Sequence, residues 1–145
     1  MLPVPGSAHD RVEIFGTDYP TADGTGVRDY IHVEDLAAAH LDALTWLRGG
    51  GDSTTLNVGY GHGYSVRQVL ASVERVTGRK LQVRESARRD GDPPILIARA
   101  DLIRSQLNWQ PRLDDLDTIV RTAWNWEIKI YKDEELVSAQ NHVLN

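Results

Sequence analysis

The chain has 145 residues, no cysteine, and 16 basic against 21 acidic side chains, for a net charge of −5. Hydrophobic residues make up 41% and charged residues 26%, the balance of a globular chain sized for one domain. The acidic surplus argues against a general nucleic-acid binder, and the missing cysteines exclude disulfides, thiolate nucleophiles and Cys-ligated metal.

No apolar run reaches the roughly 18 to 20 residues of a membrane helix. The opening MLPVPGSAHDRVEIFG lacks the basic-then-apolar order of a signal peptide, so the expectation is a cytoplasmic protein with no membrane partner. Residues 1–11 are rich in Pro, Gly and Ser and read as a loop or truncated end. Residues 12–15 are a strand candidate closed by Gly16, and TDYPTADGTG after it is turn chemistry. VRDYIHV, residues 27–33, alternates as a short extended segment. Glu34 or Asp35 then opens a helix to about Arg48, with Leu36, His40, Ala43, Leu44 and Leu47 at helical spacing and Gly49-Gly50-Gly51 as its stop.

Residues 54–59 (TTLNVG) read as a strand and residues 61–64 as a loop. Ser65 with Gln68 forms a capping box, and Val66, Val69, Leu70, Val73 and Val76 give one helical face ended by Gly78. Residues 81–84 are a further strand candidate, and SARRDGDPP, residues 86–94, is a charged loop. A short helix over residues 99–107 and a connector at residues 108–111 follow. Asp114 or Asp115 opens a last helix carrying Leu116, Ile119, Val120, Ala123 and Trp124, and residues 128–145 read as a frayed tail. The order β, β, α, β, α, β, α, α indicates an α/β fold, with fewer strands than a complete doubly wound domain uses.

Three segments carry candidate chemistry. In GTGVRDYIHVEDLAAAH, Arg28 follows a glycine turn and its planar fork can grip a phosphate; the plainer reading pairs it with Asp29 or Asp35 at the surface. In the loop at residues 86–94, Arg88, Arg89, Asp90 and Asp92 can meet phosphate and ribose hydroxyls, or form a solvated charge run. Gly59-Tyr60-Gly61-His62-Gly63, with Glu85 downstream, resembles a dinucleotide fingerprint, yet no third glycine stands at the required place. His40 on an apolar helix face reads as a core histidine, and Trp109, Trp124 and Trp126 as packing for the last two helices.

At VRDYIHVEDLAAAHLDAL the chain resembles the C-terminal portion of the UDP-glucose 4-epimerases, in the extended short-chain dehydrogenase/reductase superfamily. IFG with DYPT, LNVG with Gly61, Gly63, Ser65 and Val66, RRDGD and LNW recur in the family's order, over about residues 10–127. The resemblance implies an incomplete Rossmann domain: a nucleotide-sugar-binding part over residues 12–127 and a tail at residues 128–145. It implies an isomerase as the parent activity, interconverting UDP-glucose and UDP-galactose. Arg28 and Arg89 would contact the UDP diphosphate, Asp92 the ribose hydroxyls, and backbone around Glu13 and Phe15 the uracil, with Asp35 and Asn57 structural.

The family's NAD site is a G-x-x-G-x-x-G turn and its general base the Tyr of a Y-x-x-x-K pair. Neither pattern occurs in these 145 residues, so NAD is expected in the parent family and not on this chain. The alternatives are a non-catalytic nucleotide-sugar-binding or partner module, or another NAD-dependent nucleotide-sugar epimerase or dehydratase. The implied partners are a UDP-sugar and either a homodimer mate or a separate N-terminal half. Apolar surface is expected to lie open at Ile31, Val58 and Val83.

Overall fold

The computed structural model describes the backbone of residues 11–143 and the side chains of residues 11–131. In chain order these form β1 (Arg11–Phe15), β2 (Val27–Arg28), α1 (Val33–Arg48), β3 (Tyr64–Ser65) and α2 (Val66–Thr77). They continue with β4 (Gln82–Ser86), β5 (Ile95–Leu96), α3 (Asp101–Leu107) and α4 (Leu116–Val143). The α/β class stands, but the strands divide into two small sheets. β1 runs parallel to β4, with Arg11 opposite Gln82 and Phe15 opposite Ser86. β2 lies between β3, antiparallel, and β5, parallel. No described helix is long and apolar enough to cross a membrane.

Local chemistry sets the helix ends. The Ser65 hydroxyl accepts the Gln68 N–H and the Gln68 amide oxygen accepts the Ser65 N–H, the expected capping box. Gly78 ends α2 at φ +69°, in the left-handed region that glycine enters without steric cost. α1 starts one to two residues earlier than its acidic pair suggests, because His32 is the cap: its Nδ1 accepts the Glu34 N–H at 3.0 Å. Glu34 and Asp35 then lie in the first turn, where carboxylates complement the helix dipole. Asp115 caps α4 by accepting the Thr118 N–H at 2.8 Å.

Two apolar clusters form the core. Ala39, Ala100, Ile103 and Trp109 join α1 to α3, with Ile31, Leu56 and Val58 packed against them. Val73, Leu116 and Val120 join α2 to α4. The first cluster surrounds Asp35, which is 4% exposed. Its carboxylate accepts the Arg112 N–H at 3.0 Å, the Leu113 N–H at 2.9 Å and the Tyr60 hydroxyl at 2.7 Å. Its carbonyl accepts the Trp109 indole N–H at 3.0 Å. Burial alone raises the carboxyl's pKa; the donors from Arg112, Tyr60 and Leu113 outweigh it and hold it below the ordinary value. Burial, with the Asp35 carboxylate alongside, pushes the Tyr60 hydroxyl upward, so it stays a proton donor.

Several sequence expectations fail for stated reasons. His40 is exposed and not a core residue; its Nδ1 donates back to the Leu36 carbonyl at 2.8 Å, within its own helix. Residues 54–59 form no strand: Leu56 and Val58 pack inward, but no described residue supplies a pairing edge, and Asn57 is exposed. The segment expected to fray after residue 127 continues α4 to Val143, because its Glu, Lys, Leu and Ala residues propagate a helix once started. Trp109 is fully buried, whereas Trp126 is 59% exposed and Trp124 is half-buried under the Arg79 guanidinium. Ile31 and Val58 are packed; apolar surface lies open at Val83, at Ile95 and Leu96 of β5, and on the outer face of α1, with Leu41 at 65% and Leu47 at 53% exposed.

The Asp35 arrangement predicts a specific loss of stability. Asp35→Ala leaves two part-buried backbone N–H groups and a buried hydroxyl without their acceptor, and should cost about 3 kcal/mol in urea melts at pH 7. Because the folded-state pKa lies below the unfolded one, this stabilisation is present above the unfolded value. It is lost as pH falls through the folded value. Urea melts repeated below pH 4 should therefore show a smaller gap between wild type and variant; an equal gap at both pH values contradicts the assignment.

Candidate functional site

The two sheets are joined by the loop at residues 87–94, which leaves the end of β4 and enters β5. Its first half lies beside the end of β1: the Arg89 guanidinium carbon sits 3.8 Å from the centre of the Phe15 ring. Its second half lies beside β2: Asp92 Oδ1 is 3.8 Å from Arg28 Nη2, and the Val27 N–H donates to the Pro94 carbonyl at 2.9 Å. The Asp92 N–H reaches the Arg89 carbonyl at 3.4 Å, closing a turn between them. Four of the five residues assigned to a nucleotide thus fall on one loop and the strand ends it touches. The fifth, Glu13, accepts the Ser86 hydroxyl across the β1–β4 pair. That contact occupies its carboxylate and leaves backbone as what this strand offers a ligand.

Arg28 does not pair with Asp29 or Asp35. Both carboxylates are taken by backbone N–H groups. Asp29 accepts from Tyr60 at 3.1 Å, Gly61 at 3.1 Å and Ala98 at 3.3 Å. Arg28 instead donates to the Val27 carbonyl at 2.8 Å and lies over Gly26, where an added Cβ would stand 3.2 Å from its Nη1. Its only carboxylate partner among the described residues is Asp92, at a separation near the limit of an ion pair. Arg28 and Asp92 can both be drawn to a ligand at little cost.

The strand–glycine–helix segment at residues 59–66 does not fit a dinucleotide. A pyrophosphate there needs free N–H groups and positive potential at the start of α2. The Ser65–Gln68 box already occupies those groups, and the Asp23 carboxylate accepts the Ser65 hydroxyl, placing negative charge at that end. A side chain at Gly59 would strike Asp29 and Ala98, 2.5 and 2.6 Å away, and one at Gly63 would meet Val27 at 2.7 Å. These glycines serve close packing of the chain on itself. Glu85 pairs with Arg67. Among the described residues no group of three His, Asp or Glu side chains could hold a metal ion.

One residue stands out that the sequence did not single out by itself. Arg88 Nε donates to Asp18 Oδ1 at 2.6 Å, Nη2 donates to the Asp18 carbonyl, and the guanidinium lies 4.2 Å from the Tyr19 ring centre. The Arg88 hydrogen bond holds the Asp18 carboxyl below its usual range. Nothing in local spacing reveals this pairing, because its partners are 70 positions apart.

A model of the NAD dependent epimerase/dehydratase family matches residues 6–59. The UDP-glucose 4-epimerase of Azospirillum brasilense is 57% identical over 114 residues, 79% of this chain and 33% of that protein. That of Lacticaseibacillus casei is 45% identical over 126 residues, 87% of this chain and 38% of that one. The crystal structure of the Stenotrophomonas maltophila UDP-glucose-4-epimerase, with bound NAD and formylated UDP-arabinopyranose, superposes with a TM-score of 0.80 at 45% identity, over 85% of this chain and 36% of that one. The Bifidobacterium longum enzyme in complex with NAD+ and UDP gives 0.74 at 37% identity, over 82% and 35%. The chain spans about a third of the length of these relatives. Over about four-fifths of its own length the chain is similar to these UDP-glucose 4-epimerases in sequence and in architecture, and its first part matches the NAD dependent epimerase/dehydratase family model.

Proposed function

We propose that this chain forms the UDP-sugar-binding part of a UDP-glucose 4-epimerase, the activity that interconverts UDP-glucose and UDP-galactose. The observation that carries the reading is the loop at residues 87–94, which holds Arg89 against Phe15 and Asp92 against Arg28 in a single turn. In this reading the two guanidinium groups clamp the diphosphate, because a planar fork meets phosphate oxygens with two hydrogen bonds. Asp92 leaves Arg28 to accept the ribose hydroxyls. Backbone at Glu13 and Phe15 meets the uracil edge. The relatives' own names, and the UDP bound to the Bifidobacterium longum enzyme, support this choice of ligand.

The chain's own residues orient and hold the substrate. Neither Y-x-x-x-K nor G-x-x-G-x-x-G occurs in the 145 residues, so the proton and hydride steps call for residues beyond them. NAD supplies the hydride acceptor in the parent reaction, and no step of it is assigned to this chain. Taken alone, the chain acts as a nucleotide-sugar-binding module.

Two outcomes test the reading. UDP titrated into the chain and followed by NMR should perturb the Phe15, Arg89 and Asp92 amides, with a Kd of about 1 mM. Arg28→Ala and Arg89→Ala should each weaken binding about tenfold, since a charge-assisted contact contributes about 1.5–3 kcal/mol before solvent screening. No perturbation of those amides at saturating UDP removes the assignment. In a coupled assay with NAD and UDP-galactose, the purified chain should show no turnover, because losing general acid–base chemistry alone removes a factor of about 10²–10⁴. Turnover above background places the catalytic groups within this chain and overturns the binding-module reading.

A further inference from the structure

Arg88 neighbours the proposed diphosphate contact Arg89, but its side chain goes the other way. It reaches from the loop at residues 87–94 to the turn that follows β1. There it makes two hydrogen bonds to Asp18, one to the carboxylate and one to the carbonyl, and sits over the Tyr19 ring, 4.2 Å from its centre. That turn is itself fixed. The Tyr19 N–H donates to the Gly24 carbonyl at 2.9 Å, and Asp23 ties it to Thr25 and to the cap of α2 at Ser65. Tyr19 is 5% exposed, and its buried hydroxyl has no hydrogen-bond partner among the described residues, so packing places its ring. Gly16 leaves the room this requires: at φ +87°, a Cβ there would stand 2.5 Å from the Tyr19 ring and 2.6 Å from the Arg88 side chain.

The loop beyond Arg88 has few other ties. Among the described residues its contacts are the Val27 N–H to the Pro94 carbonyl where it enters β5, the long Asp92–Arg89 backbone bond, the Arg89–Phe15 contact and the distant Arg28–Asp92 pair. Gly91, at φ +81°, adds backbone freedom. We propose that Arg88 is the positioning residue of the nucleotide site: it struts the loop against the turn at residues 17–24, so that Arg89 and Asp92 are already ordered when the diphosphate arrives. An exposed ion pair alone contributes little. The strut works because fork geometry and ring contact act together on one guanidinium, which an ammonium cannot reproduce. This inference rests on the nucleotide reading given above.

Amide hydrogen exchange on the full chain without ligand tests the strut. Arg88→Ala should speed exchange at Asp92 by about tenfold, with the thermal melting midpoint of the whole chain unchanged. Arg88→Lys should behave as Arg88→Ala, and Tyr19→Phe, which keeps the ring, should leave exchange unchanged. Should Arg88→Ala fail to fold, Asp18→Ala removes the side-chain acceptor from the other side and is read the same way. Unchanged exchange at Asp92 in Arg88→Ala overturns the strut.

UDP binding gives the second readout. Arg88→Ala should weaken it about tenfold, because the loop must then be ordered at the moment of binding, while its salt dependence stays that of wild type. Arg89→Ala should flatten that dependence, because a phosphate contact is lost. A flattened slope in Arg88→Ala makes Arg88 a direct phosphate ligand and overturns the positioning role. Faster exchange in Arg88→Ala with no UDP binding by the wild type has a different meaning: the strut stands, and the nucleotide reading and Arg88's part in it fall.

Discussion

The Asp35 carboxylate organises the molecule around itself. A buried carboxylate is tolerated only when its oxygens are met by donors, and here the donors come from two separate stretches of chain: Tyr60, and the neighbours Arg112 and Leu113. The Trp109 indole joins through the Asp35 carbonyl, and the Tyr60 hydroxyl passes the connection on by accepting the His32 N–H. The start of α1, the glycine-rich turn and the connector before α4 are therefore fixed together by one polar centre set within an apolar cluster. Hydrophobic packing alone sets no register, since apolar side chains slide past one another at small cost. Directional hydrogen bonds supply it.

The same logic reaches the candidate site through Asp29. Its carboxylate receives N–H groups from Tyr60, Gly61 and Ala98, so the residue after Arg28 is tied to the Asp35 neighbourhood and to the stretch following β5. Arg28 is thereby held by backbone on both sides while its guanidinium stays available. The opposite arrangement holds for Arg89, where the neighbour Arg88 supplies the anchoring through its side chain. Both arginines have an adjacent residue committed to structure: Asp29 through its carboxylate and Arg88 through its guanidinium.

Much of the local structure was legible in the sequence because its causes are local. The Ser65–Gln68 box and the Gly78 stop lie within a few residues of the features they control. The DGTG turn forms because Asp23 accepts the Thr25 N–H and hydroxyl two positions on. What failed depended on partners far along the chain. TTLNV has strand composition, but composition supplies no second edge. His40 follows the helical period, but burial depends on what covers that face, and nothing described does. At the site, resemblance brought Arg28, Arg89 and Asp92 together where spacing could not. RRDGD included Arg88 too, but not its contacts to Asp18 and Tyr19, which lie about 70 positions away and outside any local motif.

The parallel pairing of β1 with β4 governs when the site comes into being. Glu13 and Ser86, joined across that pair, are 73 positions apart. Parallel ladders between such distant strands form late, because the intervening chain must be gathered before the pairing is rewarded. During synthesis β1 emerges before α1, α2 and β4, and pairs with β4 only once they have followed. Phe15 and Arg89 meet only after that. In the finished molecule the order reverses: a two-stranded ladder exposed along β4 is among the first structures to open under stress, while the Asp35 centre persists. The meeting of Phe15 with Arg89 is therefore among the last contacts this chain makes and the first it gives up, separable in time from the folding of its core.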